Sequence, residues 1–215
     1  MNDTRPLVVK VGGGLLRADG LDGLRRACAE VIAISERRQV LVVPGGGPFA
    51  DAVRAIDERV GLPDDVAHTL ALQAMDQLGV LLRPMLPGAD LLAELVAPRG
   101  VALLRAAPAF ADRSEVPESW AVTSDSLAVL AAAAIGSDSA LLLKPVAGVL
   151  ARWPSDEPPV PTLTVAELEL LQAGGGGAAV DPYLAEAVRR TGIAVTVRAP
   201  SSANTGLTGT RIIPG

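Results

Sequence analysis

The sequence is poor in the residues on which several kinds of protein depend. Among 215 residues there is one cysteine, Cys28, and one histidine, His68. A lone thiol excludes a disulfide scaffold and cysteine-based metal centres. One histidine with one cysteine is also a poor ligand set for zinc. A Ser-His-Asp system would have to use His68, and the G-x-S-x-G turn is absent. Aromatic residues are limited to Phe49, Phe110, Trp120, Trp153 and Tyr183. That is too few stacking platforms for single-stranded nucleic acid, and it leaves Ala, Val, Leu and Ile to build the core. The longest unbroken apolar run, Leu127 to Ile135, has nine residues, against the roughly 20 of a membrane span. Asp3 and Arg5 interrupt the N-terminus, and no apolar signal-like stretch follows Met1. Net charge is −5, and the longest basic clusters are the pairs Arg25-Arg26, Arg37-Arg38 and Arg189-Arg190, which leaves no footprint for nucleic acid. The expectation is a soluble, cytoplasmic protein with neither a nucleic-acid nor a membrane partner.

What is present is apolar bulk. Hydrophobic residues make up 49% of the chain and charged residues 20%, a balance that excludes disorder. A chain of this length buries about 70% of its unfolded surface, enough for one substantial domain.

Strand and helix patterns alternate along it. Residues 7–11 read as a buried strand, broken by Gly12-Gly13-Gly14, and helical spacing begins at Leu21. A second strand, Val40 to Val43, runs into Pro44-Gly45-Gly46-Gly47-Pro48. Helices follow over Phe49–Val60 and from Asp64 or Asp65 to about Leu82. Strands separated by helices of this length predict a mainly parallel sheet covered on both faces. Further along, Val101 to Leu104 is a candidate strand and Asp112 to Trp120 a loop. Thr123 or Ser124 caps an Ala-rich helix reaching Ile135, with Asp125 in its first turn. Leu141 to Leu143 is another buried strand, and the four prolines within 152–161 mark an extended segment. A short helix starts at Thr164 and ends before Gly174. Asp181-Pro182 reads as an N-cap with proline at the first helical position, and Gly192 as the stop. Ile193 to Val197 and Arg211 to Ile213 complete the strands.

Two features carry chemistry. Of 19 basic residues 17 are Arg, and the only lysines, Lys10 and Lys144, both sit in apolar strand-like runs. A compact ammonium can approach a transferring phosphate where a planar guanidinium cannot. The two glycine triplets follow consecutive strands, and the carboxyl ends of parallel strands form the crevice in which open α/β sheets bind ligands. Side chains absent there let backbone N–H groups reach phosphate oxygens. Neither loop fits G-x-G-x-x-G, and no G-x-x-x-x-G-K-[ST] loop exists. Phosphoryl transfer, in which positioning and charge stabilisation do most of the work, remains.

Val9-Lys10-Val11-Gly12-Gly13-Gly14, Pro44-Gly45-Gly46-Gly47, Thr123-Ser124-Asp125-Ser126-Leu127-Ala128 and Leu143-Lys144-Pro145-Val146-Ala147-Gly148-Val149 resemble the amino acid kinase superfamily in order and spacing. The resemblance extends to Gly209-Thr210-Arg211-Ile212. It implies a single three-layer α/β/α sandwich over residues 1–215, with an acceptor-binding half (about 1–120) and a nucleotide-binding half (about 121–215). Pro44-Gly45-Gly46-Gly47-Pro48-Phe49-Ala50-Asp51, Ala67-His68, Ala74-Met75-Asp76-Gln77 and Ser119-Trp120 are similar to the kinases of methanofuran biosynthesis. That narrower likeness implies conversion of [5-(aminomethyl)furan-3-yl]methyl phosphate to its diphosphate with ATP and Mg2+ held through the ATP phosphates. The chain departs from the superfamily pattern at Gly14, where Ser is usual, and at Ala147, where Asp is common.

By the same resemblance Lys10 and Asp125 are catalytic, Lys10 neutralising the transferring phosphoryl and Asp125 holding Lys10. The nucleotide would meet Lys10, Gly12, Gly13, Gly14, Lys144, Val146, Gly148 and Asp181. The acceptor would meet Gly45, Gly46, Gly47, His68, Asp76, Thr123 and Ser124, with Asp76, Asp51 or Asp112 available for its amine. A homo-oligomer is implied. Uridylate or isopentenyl phosphate kinase-like activity, or a nucleotide-binding or storage protein without turnover, are the alternatives on the same fold.

Overall fold

The computed structural model describes residues 5–152, 156–177, 179–200 and 209–215. Among these described residues eight strands form one sheet: β1 (Leu7–Val11), β2 (Val40–Pro44), β3 (Asp90–Leu92), β4 (Val101–Leu104), β5 (Ser139–Leu143), β6 (Thr162–Thr164), β7 (Ala194–Arg198) and β8 (Thr210–Ile213). Their spatial order is β3-β4-β2-β1-β5-β7-β8-β6, and every pairing is parallel except β7 with β8. The helices are α1 (Gly14–Ser35), α2 (Gly47–Val60), α3 (Asp64–Leu82), α4 (Ala106–Phe110), α5 (Ser124–Ala134), α6 (Val165–Ala173) and α7 (Leu184–Thr191). They cover both faces of the sheet, giving the expected three layers.

The alternation of strand side chains divides the core and positions the site. Val8, Leu41, Val43, Ala140 and Leu142 point to the face that carries α5, whereas Val9, Val11, Val40, Val42, Leu141 and Leu143 pack with α1 on the other. With a period of two, Lys10 continues the row of Val8, and Lys144 that of Ala140 and Leu142. β1 and β5 are neighbours in parallel register, Lys10 beside Leu142 and Val11 beside Leu143. Both lysines therefore emerge on one face, at the carboxyl ends of adjacent strands, beneath the start of α5.

Several local readings change. α1 begins at Gly14, seven residues before Leu21; Asp19 and Gly20 break its helical geometry, Gly20 taking φ 58° and ψ −145°. The helix from Leu21 is thus the continuation of a first turn that the glycine triplet concealed. β3, β6 and α4 span three to five residues each, too short for periodicity to mark. Asp181 does not cap the helix that follows it: α7 begins at Leu184 with Tyr183 at its N-cap. Thr164 does cap α6, in a reciprocal capping box with Glu167. Of the proline-rich segment, residues 153–155, Trp153 among them, lie outside the described residues. Among the described residues no helix is long and apolar enough to cross a membrane.

Candidate active site

The carboxyl ends of β1, β2 and β5 open into a cavity of about 500 Å³. On its floor Lys10, Asp125 and Lys144 form a buried triad. Lys10 Nζ lies 2.8 Å from Asp125 Oδ1 and Lys144 Nζ 2.5 Å from Oδ2, with side-chain exposures of only 5%, 17% and 3% for Lys10, Lys144 and Asp125. Lys144 donates a hydrogen bond to Oδ2, whereas Oδ1 faces Lys10 as an ion pair without hydrogen-bond alignment. Burial pulls the Lys10 ammonium below its ordinary pKa, a pull that Asp125 opposes and Lys144 reinforces. Burial also acts to raise Asp125, but two ammonium groups outweigh it and hold the carboxyl well below the usual range. With both ammonium groups charged, the triad holds two cations against one carboxylate, one positive charge in excess.

A second carboxylate fixes this arrangement from behind. Asp181 Oδ2 accepts from Thr123 N at 2.9 Å, Thr123 Oγ1 at 2.8 Å and Ser126 N at 3.0 Å, and Oδ1 accepts from Ser126 Oγ at 2.5 Å. It thus satisfies first-turn donors of α5 that have no intrahelical partner, supplementing the weak 3.5 Å contact of Thr123 Oγ1 with Asp125 N. Burial, and then the neighbouring Asp125, push the Asp181 carboxyl up. Local sequence suggested a cap of its own helix; the carboxylate instead crosses to α5.

The two glycine loops interlock. A Cβ on Gly13 would fall 2.2 Å from Gly47 Cα, and one on Gly45 2.6 Å from Gly13 N. Gly12 N donates to Leu143 O and Gly45 N to Val11 O, both at 2.9 Å, so these two amides extend the sheet and are not open to a ligand. Gly13, Gly14, Gly46 and Gly47 line the cavity. Gly47, at φ 55°, also requires glycine for its left-handed backbone.

The remaining expected residues divide. His68, Thr123, Ser124, Val146 and Asp181 line the same cavity. His68 is half-buried at its edge, where burial lowers its pKa and Glu118 opposes the shift, favouring neutral imidazole. Gly148 lies in an adjoining cavity of about 480 Å³ that shares Pro145, Val146 and Ala179 with the first. A Cβ there would meet Thr210 Oγ1 at 2.6 Å and Pro159 Cβ at 2.7 Å. Asp76 is not in the site. Its Oδ1 accepts from Ala106 N at 2.5 Å, serving the first turn of α4 on another side of α3. Asp112 is also absent from the cavity wall, while Asp51 is on it, paired with Arg17 at 2.5 Å.

Sequence reasoning missed Arg17, Arg54 and Trp120 as cavity-lining residues. Gly47, Asp51 and Arg54 follow i, i+4, i+7 spacing, a helical-face signal that could have found the second arginine. Trp120 Nε1 donates to Asp57 Oδ2 at 2.6 Å, and the Arg54 guanidinium sits 4.6 Å from the indole centroid.

With one buried and one part-buried cation, close-approach glycine backbone and two connected cavities, the residues fit a nucleoside triphosphate. They offer little to hold a metal directly. Asp125 and Asp181 already have partners, and among the described residues no cluster of three or more His, Cys, Asp or Glu side chains could hold one.

The amino acid kinase family pattern matches residues 5–112 and 89–199. The [5-(aminomethyl)furan-3-yl]methyl phosphate kinase of Methanocaldococcus jannaschii is 26% identical over 154 residues, covering 68% of this chain and 69% of that protein. The solved uridylate kinase of Archaeoglobus fulgidus aligns with a TM-score of 0.72 at 21% identity, over 96% of this chain and 99% of that chain. The aspartate kinase of Synechocystis gives 0.73 at 18% identity, over 97% of this chain and 40% of that chain. These structural likenesses establish the fold.

Proposed function

The chain belongs to the amino acid kinase family, and from that premise we propose that it transfers the γ-phosphoryl group of ATP to an acceptor that already carries a phosphate. The observation that supports this most is the buried triad, whose excess positive charge lies beside two glycine loops that exclude side chains. Two polyanions have to meet for such a reaction, and fixed cations in a water-poor site lower that barrier.

An acceptor phosphate has a second pKa of about 6 and is ionised at neutral pH, so no strong general base is needed. One of its oxygens forms a bond to the γ-phosphorus, the bond from that phosphorus to the bridging β,γ-oxygen breaks, and ADP leaves. Lys10 neutralises the transferring phosphoryl, and Lys144 faces the phosphates on the nucleotide side. Asp125 keeps the two ammonium groups apart and aimed. Gly13, Gly14, Gly46 and Gly47 supply close backbone approach. Mg2+, when bound with ATP, adds charge neutralisation at the phosphate oxygens.

The second cavity, beyond Pro145 and Val146, suits the nucleoside, which makes the later part of the chain its nucleotide half. The acceptor then occupies the side formed by α2, α3 and Trp120, where His68 is a hydrogen-bond donor for its phosphate. The acceptor we propose is [5-(aminomethyl)furan-3-yl]methyl phosphate, on the strength of the Methanocaldococcus relative. Of the carboxylates considered for its amine, Asp51 alone lines the cavity and is the residue assigned to it. ADP release with ATP, Mg2+ and a panel containing this phosphate, the corresponding unphosphorylated alcohol, UMP and isopentenyl phosphate tests the reading. Turnover highest with the aminomethylfuran phosphate is expected; turnover only with an unphosphorylated acceptor would refute it.

A further inference from the structure

Trp120 belongs to two cavities at once. Its indole lines the central cavity and also a smaller one of about 190 Å³ between the start of α3 and the loop at 118–122. His68, Ala71 and Val122 line both cavities as well, and the indole is the largest side chain of this shared partition. Two contacts from α2 hold it in place: the hydrogen bond from Nε1 to Asp57 and the Arg54 guanidinium over its face. Arg54 and Asp57 are three residues apart and share one face of that helix. An indole whose N–H is satisfied and whose face is covered by a cation has little freedom to swing aside. The chain contains only two tryptophans, and an aliphatic residue here could fill the space without accepting either contact.

We propose that Trp120 sets the length of the acceptor by closing the acceptor cavity against the side cavity. The assignment rests on the reading above that the acceptor occupies the α2/α3 side. Behind the ring the side cavity presents Ala67 beside the polar Asp64, Glu118 and Ser119, and it shares Ala71 and Val122 with the central cavity; an extended acceptor gains the contact with Ala67 only when the indole is removed. Each methylene buried there is worth about fourfold in affinity, so about two or three of them give roughly 15- to 60-fold.

Calorimetric titration of the intact protein with n-alkyl phosphonates, from ethyl to octyl, needs no phosphoryl transfer and reads this directly. The wild type is expected to show a cutoff length beyond which affinity falls. W120A is expected to move the cutoff outward by about two or three methylenes and to bind the longer members about 15- to 60-fold more tightly than the wild type. W120F, which keeps an aromatic ring, is expected to retain the original cutoff. An unchanged cutoff in a folded W120A protein would overturn the proposal.

Should W120A fail to fold, W153F provides the second test, because it leaves Trp120 as the single tryptophan. Its fluorescence is expected to change with phosphonates at the cutoff length and not with ethyl phosphonate; no change at saturation would overturn the proposal. n-Alkyl alcohols of matched length separate the two readings. A length cutoff shared by alcohols and phosphonates supports the partition while contradicting the phosphate acceptor. Phosphonate binding without a cutoff does the reverse, and absence of binding by every member contradicts both.

Discussion

Replacing Lys10 with methionine keeps most of the side-chain volume and removes one charge from the buried triad. Asp125 then remains paired with Lys144 at 2.5 Å, and the floor of the cavity goes from one excess positive charge to neutral. Because the carboxylate keeps Lys144 as a partner and burial already disfavours the Lys10 charge, the loss of stability should stay below that of an uncompensated buried charge, about 3–5 kcal/mol. Asp125→Asn removes the opposite charge and leaves Lys10 and Lys144 facing each other with a combined charge of two. Leaving buried charge uncompensated costs about 3–5 kcal/mol, so this variant should be the less stable of the pair. Activity should reveal a different pattern. Lys10 is assigned to charge that develops during transfer, and removing one such donor costs about 10²–10³ in rate. Urea unfolding of both variants, with ADP release measured on each folded protein, separates the two effects. A folded Lys10→Met protein with near-normal turnover, or an Asp125→Asn protein no less stable than Lys10→Met, would refute the reasoning.

Other consequences are as concrete. His68→Ala should raise the acceptor KM or lower kcat by about 10- to 100-fold, the worth of a hydrogen bond to a charged group, with ATP affinity little changed and His68→Gln recovering part of the loss; equal damage to ATP binding contradicts that role. A crystal with an ATP analogue should place the base in the cavity lined by Pro145, Val146 and Gly148, and density near Ala67 to Met75 would reverse the two halves. Asp181 is raised in the folded protein, so it holds its proton to higher pH than in the unfolded chain. Its contribution is fully favourable below the unfolded value of about 3.9 and is lost as pH rises through the folded value. Asp181→Asn should therefore flatten the fall in unfolding free energy on the alkaline side of pH 4; an unchanged slope would exclude Asp181 as its source.

The parts of the fold legible in the sequence were those whose pattern is long and local. β1, β2, α2, α3 and α5 have runs of apolar residues at a clear period, bounded by glycine or by Asp and Thr. β3 and β6 are three residues each at the two edges of the sheet, and their pairing partners, not their own sequence, make them strands. The rarity of lysine drew attention to Lys10 and Lys144, and the alternation along β1 and β5 explains why both reach the same carboxylate. Asp181 was misread because Asp-Pro is a local cap signature, whereas its hydrogen-bond donors lie 55 and 58 residues away. Asp76 illustrates the converse. It stands in a string suggestive of the acceptor site, yet faces Ala106, an orientation set by the packing of α3 against α4.

The central claim is that a phosphate-bearing acceptor and ATP react over the Lys10-Asp125-Lys144 triad to give a diphosphate. The most direct measurement is 31P NMR of a turnover mixture containing the protein, ATP, Mg2+ and [5-(aminomethyl)furan-3-yl]methyl phosphate. The account predicts paired, mutually coupled resonances of a new diphosphate growing in step with ADP, and their absence when Lys10→Met replaces the wild type. ADP accumulating with inorganic phosphate alone, or an acceptor phosphate resonance that never changes, would contradict it.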